Sequence, residues 1–318
     1  MDANEPTRRP SRRLRWILLR WCILLPALVA IFWLTGCMER LFYYPQAGPT
    51  PVPAGFAGAE DLWFHSADGT RLYGWFIPAQ GPGDPALAAT ILHVHGNAGN
   101  IDSHLYFSEF LPAAGFNLFL FDYRGYGQSE GSARKRQDLI ADTHAALDAL
   151  LARDDVNPQR IGLFGHSLGG SVGLNVMADR PEIRAAVITS AFTSWREMAA
   201  SAVGGGRPGP IARSLAALFI KDSCRPIDAI ARIERPILIL HGDADRTVPV
   251  THGRRLAAAC PGAELIELPG GDHNDLRDTH LRAETEPIAF FRRHLVEPTD
   301  AAEPMGVAVS PCAVGGSA

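Results

Sequence analysis

Three short stretches hold residue types that together could make an ordinary alcohol reactive. Gly165-His166-Ser167-Leu168-Gly169-Gly170 sets a serine between glycines, after the apolar run RIGLFG and at the head of LGGSVGLNVMA, which reads as a helix. A strand that turns sharply into a helix strains the residue at the turn and exposes its side chain, and flanking glycines remove the Cβ clashes. A serine hydroxyl is a weak nucleophile at neutral pH, so it needs a base. His273, in LPGGDHND, follows the last strand-like run and precedes the last helix. His93 and His95 come before the serine in the chain, and His241 ends a strand with no later acid–base order as good. The acid should stand between serine and histidine, where HGDADRTVP offers Asp243 and Asp245. Asp245 is the expected partner because it lies two residues further into the loop, just before RTVPV. Asp243 is better placed to shape the turn through a side-chain-to-backbone bond.

Attack on a carbonyl builds an oxyanion, which needs hydrogen-bond donors. His95-Gly96-Asn97-Ala98-Gly99-Asn100 follows the run ATILHV, and its small residues let the backbone approach a substrate. The backbone N–H groups of Asn97 and Leu168 are the expected donors. The loop Asp122 to Gly131 (DYRGYGQSEG) closes the next strand and is read as scaffolding beside that turn.

These loops need a frame. LWFHS and RLYGWFIP flank Ala67-Asp68-Gly69 and read as a β-hairpin. ATILHVHG, NLFLFDYRG, RIGLFGHS, IRAAVITSA, PILILHGD and AELIELPG are short apolar runs, with helices expected between most of them, including HLYFSEFLPAAG and residues 133 to 153. Apolar runs of this length separated by helices mean parallel strands buried on both faces. The expected fold is α/β: a doubly wound, mostly parallel sheet with an antiparallel N-terminal hairpin, over residues 61–296. Residues 192–233, with Gly204-Gly205-Gly206, Pro208 and Pro210, break the rhythm and read as a small helical lid. Residues 38–60 read as a Pro/Gly-rich linker, and 297–318 as a disordered tail.

Residues 1–37 read as a membrane-attachment segment. Arg8, Arg9, Arg12, Arg13 and Arg15 precede the uncharged run Trp21–Leu34, and Leu34-Thr35-Gly36-Cys37 follows it. A basic region before a short apolar run fits a secretory signal. The last four residues resemble the lipobox of bacterial lipoproteins, which makes Cys37 the expected lipidation site. An uncleaved signal anchor stays open as the rival. Both place the catalytic domain outside the cytoplasm. The chain has 318 residues and a net charge of −4, with its only dense basic run at the N-terminus, which argues against nucleic acid as a partner. Its five cysteines show no CxxC spacing, so neither a zinc site nor a disulfide framework is expected. No cofactor is needed for the chemistry above, and the oligomeric state is left open.

HGNAGN, DYRGYGQSEG, GHSLGG, HGDADRTVP and GDHND together resemble the membrane-anchored α/β-hydrolases of the group that includes mammalian protein depalmitoylases and their bacterial lipoprotein relatives, and similar domains are labelled serine aminopeptidase-like. The likeness covers roughly residues 40 to 295. SARKRQD, after the YRGYG loop, lacks the Pro-Ser-Glu usually found there. The resemblance implies the α/β-hydrolase fold and the triad Ser167, Asp245 and His273, acting on small-molecule or lipid-like acyl substrates. The expected activity is cleavage of a carboxylic ester or thioester. A serine peptidase, or a catalytically silent binding module on the same fold, is the alternative.

Overall fold

The computed structural model describes residues 39–81, 84–203 and 208–296, together with scattered positions between 12 and 30. Cys37 and the tail 297–318 lie outside the described residues, as does most of 1–37. No helix among the described residues is long and apolar enough to cross a membrane.

One eight-stranded sheet organises the chain. Its strands are β1 (Glu60–His65), β2 (Arg71–Ile77), β3 (Thr90–Val94), β4 (Asn117–Asp122), β5 (Ile161–His166), β6 (Ile183–Thr189), β7 (Ile237–Gly242) and β8 (Ala263–Leu268), in the order β1-β2-β4-β3-β5-β6-β7-β8. The hairpin β1–β2 is antiparallel, and β2 also runs antiparallel to β4. All other neighbours are parallel. Strands β3, β4, β5 and β7 are buried along their whole length, as continuous apolar runs require when both faces are covered. The expected doubly wound sheet with an antiparallel edge is therefore what this chain forms.

The connections are α1 (Ile101–Leu105), α2 (Phe110–Ala113), α3 (Arg136–Leu151), α4 (Leu168–Asp179), α5 (Trp195–Val203), α6 (Pro210–Phe219), α7 (Pro226–Ile230), α8 (Thr251–Ala259), α9 (Leu276–Thr279) and α10 (Arg282–Phe291). The first of them departs from expectation. HLYFSEFLPAAG does not form one helix; it breaks between Leu105 and Phe110. Local propensity yields there to tertiary partners. Phe107 stacks on His166 with ring centroids 4.0 Å apart, and Ser108 Oγ lies 2.7 Å from His93 Nδ1.

The expected linker also behaves differently over its first part. Glu39–Phe42 is a 3-10 turn, and the chain after it runs against the loops at the ends of β3 and β4, with Pro45 bridged to Gly99 and Ala47 to Gly127. Tyr43 is buried in the main core. Beyond Gly48 the chain up to β1 carries no helix or strand, in keeping with its proline and glycine content.

Candidate active site

Ser167 sits between β5 and α4 with φ 53° and ψ −115°. A non-glycine residue at positive φ is strained, and such strain collects where a turn must present a side chain. The glycines around it are required by space. A Cβ on Gly165 would stand 2.7 Å from Gly170 Cα, and one on Gly169 would stand 1.8 Å from Val94 O. The close passage of α4 under the end of β3 is what brings Ser167 beside the 95–100 loop.

The two other expected residues arrive at the same place. Ser167 Oγ is 3.0 Å from His273 Nε2, and His273 Nδ1 is 2.8 Å from Asp245 Oδ2. With the imidazole proton on Nδ1, facing the carboxylate, Nε2 presents its lone pair to the serine hydroxyl. Asp245 Oδ1 accepts the N–H groups of Thr247 (2.9 Å) and Val248 (2.7 Å). His241 Nε2 stands 3.4 Å from Asp245 Oδ2 while contacting Val248 O at 2.8 Å. Burial alone would raise the Asp245 pKa, but hydrogen bonds from His241, His273 and Val248 outweigh it and hold the carboxyl well below the usual range. Asp243 takes the other expected place: its Oδ1 accepts the Gly270 N–H at 2.6 Å and so joins the two loops. Arg246 and Asp272 join them again, with Nε to Oδ2 at 2.7 Å.

Ser167 and His273 open onto a cavity of about 320 Å³. Asn97 and Leu168, the expected oxyanion residues, both line it, and Ala98 beside Asn97 has φ 65°. The stretch 192–233 contributes Phe192, Trp195, Met198 and Ile220. His166 lies against the other side, with Nδ1 2.9 Å from Thr189 Oγ1 and Nε2 3.3 Å from Asn274 Oδ1; burial pushes its pKa well down. Among the described residues no group of three or more His, Cys, Asp or Glu side chains could hold a metal ion.

Two features escaped the sequence reading. Phe42, Tyr43 and Tyr44 form part of the cavity wall, although they fall in the expected linker. Three adjacent aromatics ahead of a proline-rich stretch were the available signal. Glu39 and Arg136 also reach the cavity, as a buried pair with Nη2 2.7 Å from Oε1. The DYRGYGQSEG loop is scaffolding in its contacts. Arg124 Nη2 and Nε meet Asp142 at 2.7 and 3.0 Å, and Ser129 Oγ donates to Asp122 O. Asp122 receives the Ile101 N–H at 2.9 Å, yet burial pushes its pKa up to about 7.

A strained serine at the β5–α4 turn of such a sheet, hydrogen-bonded to a histidine from after the last strand, is the arrangement of the α/β hydrolases. Comparison with known proteins agrees. The model of the family described as serine aminopeptidase, S33 matches residues 85–222. The chain is 38% identical over 280 residues to the uncharacterised protein YfhR of Escherichia coli, covering 85% of this chain and 90% of that one. It is 37% identical over 233 residues to the alpha/beta hydrolase domain-containing protein WAV2 of Arabidopsis thaliana, covering 68% of this chain and 72% of WAV2. Among solved structures, an esterase of Pyrococcus furiosus superposes with a TM-score of 0.64 at 20% identity, over 79% of this chain and 99% of the esterase. A puromycin-hydrolysing peptidase of Mycobacterium tuberculosis gives 0.60 at 20% identity, over 79% of this chain and 41% of the peptidase. The chain belongs to the α/β-hydrolase superfamily, within the group that holds these YfhR and WAV2 relatives.

Proposed function

We propose that the chain is a serine hydrolase that cleaves carboxylic esters or thioesters through an acyl-enzyme on Ser167. The observation that carries this reading is the unbroken row from Ser167 Oγ through His273 to Asp245, at 3.0 and 2.8 Å, opening onto a cavity walled by aromatic and aliphatic side chains. His273 Nε2 takes the hydroxyl proton as Oγ attacks the carbonyl carbon, and returns it to the leaving oxygen or sulfur. Asp245 holds the imidazole in the required tautomer and stabilises its charge. The N–H groups of Asn97 and Leu168 receive the oxyanion. Water, deprotonated by the same histidine, then frees the acid and restores the serine.

Ester or thioester is favoured over an aminoacyl substrate by the charge of the wall. A free amino terminus calls for an unpaired carboxylate. Among the described lining residues the carboxylate is Glu39, and the Arg136 guanidinium neutralises it at 2.7 Å. The aminopeptidase family match and the peptidase neighbour keep the peptidase as the second reading. We also propose attachment of residues 1–37 to a membrane, with Cys37 lipidated and the catalytic domain outside the cytoplasm, from the arginine run, the apolar run and Leu34-Thr35-Gly36-Cys37.

A fluorophosphonate probe should label the parent chain and not Ser167→Ala, and that variant should lose roughly 10⁴–10⁶ in kcat. Full activity in Ser167→Ala refutes the nucleophile. Turnover of octanoyl and acetyl p-nitrophenyl esters should far exceed that of aminoacyl amides; the reverse ranking establishes the peptidase. Cys37→Ala should release the protein from the membrane or arrest its processing, whereas an uncleaved anchor would be unaffected.

A further inference from the structure

We infer that the segment Glu39–Tyr44 is a working part of the catalytic machinery: a strap, latched by the Asn97 side chain and anchored by the buried Glu39–Arg136 pair, that holds the Asn97 backbone in register with Ser167. The inference rests on the serine-hydrolase reading above.

The latch is two-sided. Asn97 Nδ2 donates to Phe42 O, and Asn97 Oδ1 accepts the Tyr44 N–H at 3.2 Å and the Tyr126 hydroxyl at 3.0 Å. One amide side chain thus reads both polarities of the strap backbone, its Nδ2 donating and its Oδ1 accepting. Main-chain bonds continue the seam, with Gln46 N–H to Gly99 O at 2.9 Å and Gly127 N–H to Gln46 O at 3.0 Å.

The 97–100 loop needs such a brace. Ala98 and Gly99 stand consecutively at φ 65°, and the alanine holds that conformation against its own Cβ. A strained non-glycine backbone persists only where its surroundings over-determine it. The oxyanion donor proposed at Asn97 is adjacent to Ala98, so relaxation of that strain would swing the donor away from the developing charge.

The anchor fixes the strap at its other end. Arg136, on α3 and only 1% exposed, contacts Glu39 through Nη2 (2.7 Å) and Nε (3.1 Å), and donates from Nη1 to Ser223 O at 3.0 Å. Its guanidinium also lies 4.9 Å over the Trp195 ring. A charge buried this deeply stays only if paired, so Glu39 cannot leave without stranding Arg136. The strap is therefore tied to α3, to the 192–233 stretch and to the oxyanion loop at once. It is also the point where residues 1–38 join the domain.

The test uses the full chain in detergent micelles with p-nitrophenyl acetate. Asn97→Ala should lower kcat by roughly 10–100-fold, with KM changed by less than about threefold, because an oxyanion contact acts in the transition state. The rate of fluorophosphonate labelling at Ser167 should fall in parallel. Asn97→Asp keeps the acceptor for Tyr44 and Tyr126 but loses the donor to Phe42, and should fall between the two. Glu39→Gln should lower kcat by a smaller factor, and should add nothing in the Asn97→Ala background, since it acts only through the latch. If Asn97→Ala keeps kcat within about threefold of the parent, the strap has no catalytic role and the hydrolase reading stands; if the two losses multiply, Glu39 does not act through the latch and the anchor is refuted. If the parent chain itself shows no Ser167-dependent labelling, both inferences fall.

Discussion

Gly169→Ala separates the packing that builds the site from the chemistry the site performs. The added methyl would lie 1.8 Å from Val94 O and 2.5 Å from His95 O, where ordinary contact begins at 3.4 Å. Both neighbours are backbone, so the end of β3 and the head of α4 must part by roughly 1.5 Å, a strain of the kind that costs about 1–3 kcal/mol or more. Val94 and His95 lead straight into the Asn97 loop, so the displacement is passed to the proposed oxyanion donor. Misplacing a reacting group by about 1 Å can lower the rate about 10²-fold. Gly173→Ala, one turn further along the same helix, is the matched reference. Its methyl meets both Leu163 methyls, at 2.8 and 3.1 Å, and these are side-chain ends, which can shift where backbone cannot. The gain in helix propensity there, roughly 0.8–1 kcal/mol, offsets the remaining strain. Thermal melting and kcat on p-nitrophenyl acetate should therefore place Gly169→Ala well below the parent and Gly173→Ala close to it. Equal melting temperatures and equal kcat for the two variants would refute the argument that the β3–α4 approach positions the oxyanion loop.

Asp245→Asn should leave the fold intact, because Oδ1 can still accept from Thr247 and Val248, but kcat should fall by about 10⁴ as the histidine loses its carboxylate; a loss under about tenfold would show that Asp245 does not orient His273. Asp122 carries a pKa of about 7 against an ordinary 3.8, so its proton stabilises the fold at low pH, and that contribution is lost as pH rises from about 4 through about 7. His95, 3.9 Å away, is itself held neutral by burial and does not compensate. The melting-temperature gap between Asp122→Asn and the parent should widen in favour of the variant across that window, and a constant gap would refute the assignment. Met198→Trp should shorten the cavity and reduce kcat/KM for octanoyl esters at least about tenfold more than for acetyl esters; equal losses would place the acyl chain elsewhere.

The parts of the site that were legible from residue order are those whose chemistry is local. The serine at this strand–helix turn needs glycine at 165 and 169 because backbone passes within a Cβ radius there, and that need shows in the sequence itself. The preference for Asp245 over Asp243 rests on its place two residues further into the loop, and the structure sets Asp245 2.8 Å from His273 Nδ1 while Asp243 accepts the Gly270 N–H. The strap was not legible, for a physical reason. Its bonds to Asn97 come from the carbonyl of Phe42 and the N–H of Tyr44, groups that every such residue carries, across more than fifty positions of sequence separation. Glu39 and Arg136 gave no sign of each other either, because a helix-borne arginine and an acidic residue in a linker are each ordinarily solvated. The broken helix at 105–110 belongs to the same class, its propensity overridden by Phe107 packing on His166. In each case the unread feature lies where a segment is held by the backbone or rings of a distant one. Residue types record what a position needs from its neighbours in the chain. Where the need is met from across the molecule, as at Asn97, the side chain that reads a distant backbone is the trace left in the sequence, and a polar amide set between glycine and alanine, as at 96–98, is where to look for it.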